Sequence, residues 1–126
     1  MSKIQLVQGD TGPSLAFSLT DDTTGLPVDV SAAGTIVRFK FRAVGASDLK
    51  GTITATKLTG RQLADGTIDT SGAYAIAGGG GRVQINWAST SLDTAGDFEG
   101  EIEITFAPGI IQTVPAKVQM QVRAQL

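Results

Sequence analysis

The stretch Arg82–Phe106, RVQINWASTSLDTAGDFEGEIEITF, decides how this chain folds. In its first arm Val83, Ile85 and Trp87 alternate with Gln84 and Asn86. In its second arm Phe98, Gly100, Ile102, Ile104 and Phe106 alternate with Glu99, Glu101, Glu103 and Thr105. Period-two alternation turns one face of each segment toward a core and the other toward water, which is the pattern of half-buried strands. Between the arms, Ser91–Gly96 is too short for a helix of its own and suits a compact corner.

Toward the amino terminus the same pattern recurs in shorter pieces. Lys3–Val7 reads as an opening strand, broken by Gln8–Pro13 with its two glycines and a proline. Ser14–Thr20 resumes the alternation with Leu15, Phe17 and Leu19 on one face. Asp21–Pro27 is a polar turn, Val28–Val30 a brief edge piece and Ser31–Gly34 another turn. Thr35–Ala43 places Val37, Phe39 and Phe41 inward and Arg38, Lys40 and Arg42 outward. Lys50–Leu58 is a threonine-rich strand with Ile53 as its clearest core residue.

Two segments fit the pattern less well. Thr59–Gly81 has one apolar cluster, Tyr74–Ala77, followed by four glycines. It is expected to be a long surface loop holding at most one short hairpin or edge strand, and loops of this length tend to be functional or disordered. Beyond the Pro108-Gly109 turn, Gln112–Leu126 reads as one last strand, with Val114, Ala116, Val118, Met120, Val122, Ala124 and Leu126 sharing a face. Such a strand would exceed the usual length of about 17–20 Å. It should therefore bend near Pro115, or project from the domain and pair with something else.

About seven main strands, frequent turns and no useful helical periodicity predict an all-β protein. The expected fold is one immunoglobulin-like β-sandwich of antiparallel strands over residues 1–126, with 59–81 as a long Gly-rich loop or insertion. If the strands are lettered A to G in order, Thr35–Ala43 is C and Asp97–Phe106 is F, neighbours in such a sandwich. Arg38, Lys40 and Arg42 then face Glu99, Glu101 and Glu103. Each such cross-strand pair contributes about 0.2–1 kcal/mol and disfavours a slipped register.

Composition narrows the chemistry. The 126 residues carry a net charge of -2 and a pI near 4.9, which speaks against a nucleic-acid partner. There is no cysteine and no histidine, so thiolate chemistry, the usual general base and the commonest transition-metal ligands are missing. The opening MSKIQLVQGD has no apolar h-region, and no apolar run approaches the roughly 20 residues of a membrane span. Neither a secretory leader nor a spanning segment is therefore expected. A soluble protein made in the cytosol is expected. Glu99, Glu101 and Glu103 lie two apart on one strand face, a solvated row rather than a pair of carboxylates facing across a cleft. Asp10, Asp21, Asp22 and Asp29 do not have the spacing of a calcium loop and read as turn formers. Gly78–Gly81 lacks the Lys-Ser/Thr of a phosphate loop and is expected to be a flexible connector or a place of close backbone approach. Ser and Thr have no base to activate them, and the phase of Trp87 makes it core. Neither an enzyme nor a cofactor is expected.

The chain resembles the N-terminal domain of the baseplate upper protein family, an immunoglobulin-like module of tailed-bacteriophage tail and baseplate proteins. The likeness rests on Gly9-Asp10-Thr11 and the strand after it, Gly25–Val30, Val37–Phe41, the Trp87 region, Asp93–Phe98 and Gln112–Pro115. It covers most of the chain apart from Val44–Gly81. Phe98 stands where the family often has tyrosine, so no hydroxyl ties back to the corner. Family members commonly continue into a fibre or receptor-binding region, whereas this sequence stops at Leu126, and the receptor-linking role is not carried over.

The resemblance implies a non-enzymatic virion structural protein of the tail, baseplate, collar or capsid surface. Its expected partners are other virion proteins and copies of itself, with no membrane and no nucleic acid. The last strand, the Gly-rich loop and the N-terminal edge strand are the expected docking surfaces, with Tyr74, Ile76, Met120, Val122 and Leu126 as candidate assembly contacts. A module holding a host-surface carbohydrate or protein through its loops is the alternative, for which Tyr74 is the loop aromatic.

Overall fold

The computed structural model describes residues 3–12, 14–115 and 117–126. Its strands are, in chain order, β1 (Ile4–Val7), β2 (Leu15–Ser18), β3 (Ile36–Ala43), β4 (Gly51–Thr54), β5 (Thr56–Lys57), β6 (Arg61–Gln62), β7 (Ile68–Asp69), β8 (Arg82–Ile85), β9 (Gly96–Thr105), β10 (Ile111–Thr113) and β11 (Val118–Arg123). One turn of 3-10 helix covers Gly72–Ala75. The larger sheet has the order β1-β11-β9-β3-β4, with β10 also paired to β9. The second sheet is β2-β8-β5, and β6 and β7 form a small hairpin of their own. The architecture is an all-β sandwich.

The two sheets meet through aromatic rings. Phe39 and Phe41 alternate inward on β3 and stack at 5.8 Å between centroids. From the other sheet Phe17 stacks on Phe39 at 6.1 Å. Trp87, just beyond β8, meets Phe39 and Phe41 edge-on at 6.1 and 5.6 Å. Offset and edge-to-face pairs of this kind add about 0.5–1.5 kcal/mol each beyond area burial. Val37, Val83, Ile85, Leu92, Ile102, Ile104, Val118, Met120 and Val122 close the core around them.

β3 and β9 pair in the expected register, with Arg38 opposite Glu103, Lys40 opposite Glu101 and Arg42 opposite Glu99. The ion pairs partly run on the diagonal. Lys40 Nζ donates to Glu103 at 2.6 Å and Arg42 Nε to Glu99 at 2.8 Å, while Arg38 donates to the Thr105 hydroxyl at 3.4 Å. The bond from Arg42, helped by the charge of Lys117, holds the Glu99 carboxyl below the usual glutamate range.

Several expectations need correcting. β1 runs parallel to β11, so the strands are not all antiparallel. Lys50–Leu58 is two strands in different sheets: β4 pairs with β3, β5 with β8. The change of sheet falls at buried Ala55, whose N–H donates to Val37 O at 2.8 Å. Val28–Val30 forms no strand. Its amides bond to Leu19 O and Gly78 O, and Val30 is fully buried.

The last strand is also broken. From Thr113 to Val118 the chain advances five residues while the facing β9 positions move three, from Glu103 to Gly100. Two extra residues are thus accommodated around Pro115, a bulge of the kind that bends a strand. Ala124 and Leu126 lie exposed, not on the buried face. The expectations for Pro13 and Ala116 fall outside the described residues.

Gly100 shows how closely the core is fitted. It sits on the buried face of β9, and a methyl group there would overlap the ring of fully buried Phe39. Gly100→Ala is therefore expected to lower the urea midpoint, with a cost of about 1–3 kcal/mol from overpacking. The m-value should stay unchanged. Gly12→Ala, with open space around the added carbon, should stay within about 0.5 kcal/mol of wild type. Equal midpoints for the two variants would contradict the packing assigned to Phe39.

Candidate assembly surfaces

The excursion Thr59–Gly81 is built, not slack. β6 and β7 pair through Arg61–Asp69 and Gln62–Ile68, and Arg61 Nε donates to the Asp69 carboxylate at 3.2 Å. The same guanidinium lies 4.5 Å from the centre of the half-buried Tyr74 ring. Two turns use one device: an aspartate accepts both the N–H and the hydroxyl of the residue two positions on. Asp65 does so with Thr67 and Asp69 with Ser71. Asp29 with Ser31 repeats it at the base of the excursion.

The four glycines are a place of close approach. An added carbon at Gly79 would strike Ala73 O, one at Gly80 the carbonyl of Gly60, and one at Gly81 the backbone of Leu19 and Val28. Backbone on backbone leaves no side chain to move aside. Gly78 N–H donates to Leu58 O at 2.9 Å, and Gly60 N–H to Tyr74 O at 2.7 Å. Leu63, Ile68 and Ile76 stay exposed on this unit.

The sequence-derived contact residues separate into two groups. Tyr74, Ile76 and Leu126 reach the surface, Ile76 at 60% exposure. Met120 and Val122 do not: they point into the core at 1% and 2% exposure, because β11 is covered by both sheet neighbours and by the opposite sheet. β11 has β1 on one side and β9 on the other, so it offers no edge for pairing. The N-terminal strand β1 does lie at a sheet edge.

Sequence reasoning missed the segment around β10. Ile110 and Ile111 are 63% and 62% exposed there, and β10 is held on one side only. The signal was present: Ile110-Ile111 breaks the alternation directly after a Pro-Gly turn. Beside it a groove of about 500 Å³ opens between Ser18–Thr23 and Gln112–Pro115, floored by Ile104 and Val28. A smaller hollow of about 200 Å³ lies on the charged outer face, among Lys40, Arg42, Glu99, Glu101, Lys117 and Leu49. Among the described residues no group of three acidic side chains is placed to hold a metal ion, and no helix is long and apolar enough to cross a membrane.

Two measurements check the excursion. Gly80→Ala should force Gly60 and Gly80 apart and speed amide exchange at Gly60 and Gly78, while the β3–β9 amides keep their protection; unchanged exchange at Gly60 would refute the contact. The Asp65 and Asp69 carboxyls are held below the ordinary value of 3.8 chiefly by the Thr67 and Ser71 hydroxyls, then by those residues' N–H groups. A lowered folded-state pKa means the turns are fully held above the ordinary carboxylate pKa and lose their support as pH falls through the lowered one. Amide protection of Thr67 and Ser71, corrected for intrinsic rate, should therefore drop between about pH 5 and about pH 2. Flat protection over that range would exclude carboxylate control of the turns. Set beside known proteins, the chain matches no protein-family model and no curated protein sequence.

Proposed function

We propose that this chain is a non-enzymatic structural component of a tailed-bacteriophage particle. In this reading it is an immunoglobulin-like sandwich that docks on a symmetric assembly through its free strand edges and the Thr59–Gly81 unit. The observation that carries the reading is the strand order. β11-β9-β3-β4 can be lettered G-F-C-C′ and β2-β8-β5 lettered B-E-D, the arrangement of the two immunoglobulin sheets. The motif likeness from Gly9 to Pro115, which includes the Trp87 region and the Asp93–Phe98 corner, supports this reading.

The surface chemistry supports the same reading. Asp29, Asp65 and Asp69 are engaged in turns, and Glu99 and Glu103 in ion pairs. Tyr74, the loop aromatic, has Arg61 against its ring, which weighs against a sugar-stacking platform. The partners are other virion proteins and further copies of this chain, and the location is the virion.

Quantitative mass spectrometry of density-purified particles from the producing culture tests this. The chain should be recovered at a fixed ratio to the major capsid protein and resist a high-salt wash. Recovery in the soluble fraction alone would overturn the proposal.

A further inference from the structure

β10 differs from the other free edges of the two main sheets. Those edges belong to β1 and β4 in the larger sheet and to β2 and β5 in the smaller one. Each has charge at hand: Lys3 precedes β1, Lys50 precedes β4, Asp21 and Asp22 follow β2, and Lys57 lies in β5. Charged side chains are a usual means of keeping an edge from pairing. β10 and its flanking chain supply none, because Ile104–Ala116 carries no ionisable residue; Glu103 stands opposite Thr113 on β9, and Asp21 and Asp22 line the groove beside it.

The hydrogen-bonding pattern shows which backbone groups are free. Phe106 N–H donates to Ile110 O, and Val114 N–H to Ile102 O. Alternation along an antiparallel ladder then turns Gln112 toward β9 and Ile111 and Thr113 away from it. Ile111 and Thr113 each direct one N–H and one C=O to the open side. No turn or loop hydrogen bond among the described residues takes up these groups.

The free groups are symmetric about Gln112. We infer that β10 pairs antiparallel with β10 of a second copy of this chain, across a two-fold axis through Gln112. Ile111 then exchanges both its bonds with Thr113 of the second copy, and Thr113 with that copy's Ile111. The two Gln112 residues face each other in a non-hydrogen-bonded position, with Cβ atoms about 4.5–5.5 Å apart. There their amides can bond to one another. Pro115, at an open-side position with no N–H to offer, limits the paired segment at one end, and the turn over 107–109 limits it at the other. The exposed Ile110 and Ile111 leave water in the same event, and two larger sheets become one.

The inference concerns the purified chain alone, so it stands or falls separately from the particle reading. The absence of native cysteine makes Gln112→Cys a unique thiol at the symmetric position. Under mild oxidation it should form a covalent dimer about ten-fold faster than Thr52→Cys, an exposed residue on the free β4 edge, because pairing raises its effective concentration. Adding Ile111→Lys to Gln112→Cys should return the rate to that of Thr52→Cys. In sedimentation velocity, unmodified protein should gain mass with concentration, and the Ile111→Lys single variant should not. Equal crosslinking at positions 112 and 52, no effect of Ile111→Lys, or a mass that stays monomeric at every concentration would each overturn the inference.

Discussion

Eight consecutive antiparallel pairs, from Ile36–Thr105 to Ala43–Phe98, tie β3 to β9. A slip of one residue would turn Val37, Phe39 and Phe41 to water and Arg38, Lys40 and Arg42 to the core. A slip of two keeps the faces but moves the Phe39 ring off Gly100 and onto a larger neighbour, and takes Arg42 away from Glu99. The ladder is therefore held from both sides, by a ring fitted over a glycine within and by ion pairs without. β10 and β11 are added to the far edge of β9, β4 to the far edge of β3, and the second sheet closes on Phe39 and Phe41.

Long alternating segments were legible in the sequence because each residue in them has one neighbourhood, in or out. Hence β3, β9, the inward Trp87 and the facing charge rows follow from pattern alone. What was not legible depends on places where one segment serves two surroundings. Lys50–Leu58 alternates smoothly, yet Ala55 carries it from one sheet to the other, and a small buried alanine leaves no periodic trace of that step. Val114–Leu126 keeps its phase through Pro115 in the sequence, but the two extra residues reset the pairing. Periodicity counts residues along one chain, whereas register counts them against a neighbour.

The same distinction governs the candidate surfaces. Met120 and Val122 stand out in sequence because they are apolar and regular, and regularity is what places them inside. Ile110, Ile111 and Ile76 break the pattern and stay outside. In the glycine run, composition suggests looseness, but Gly79 and Gly80 are where backbone meets backbone, so the residues with least side chain mark the tightest contacts of the excursion. Surfaces available to a partner are found where apolar side chains depart from the rhythm of the strand that carries them.

The parallel pairing of β1 with β11 has a mechanical consequence. The chain enters the larger sheet at Ile4 and leaves it at Arg123 through neighbouring strands that point the same way. Tension applied between the two ends drags these strands past each other lengthwise. The ladder from Ile4–Met120 to Val7–Arg123 is then loaded in shear, with its hydrogen bonds resisting together. A hairpin pulled at its open end would be unzipped one bond at a time. Held at both ends, this small sandwich is arranged to transmit force along its length without opening from the edge.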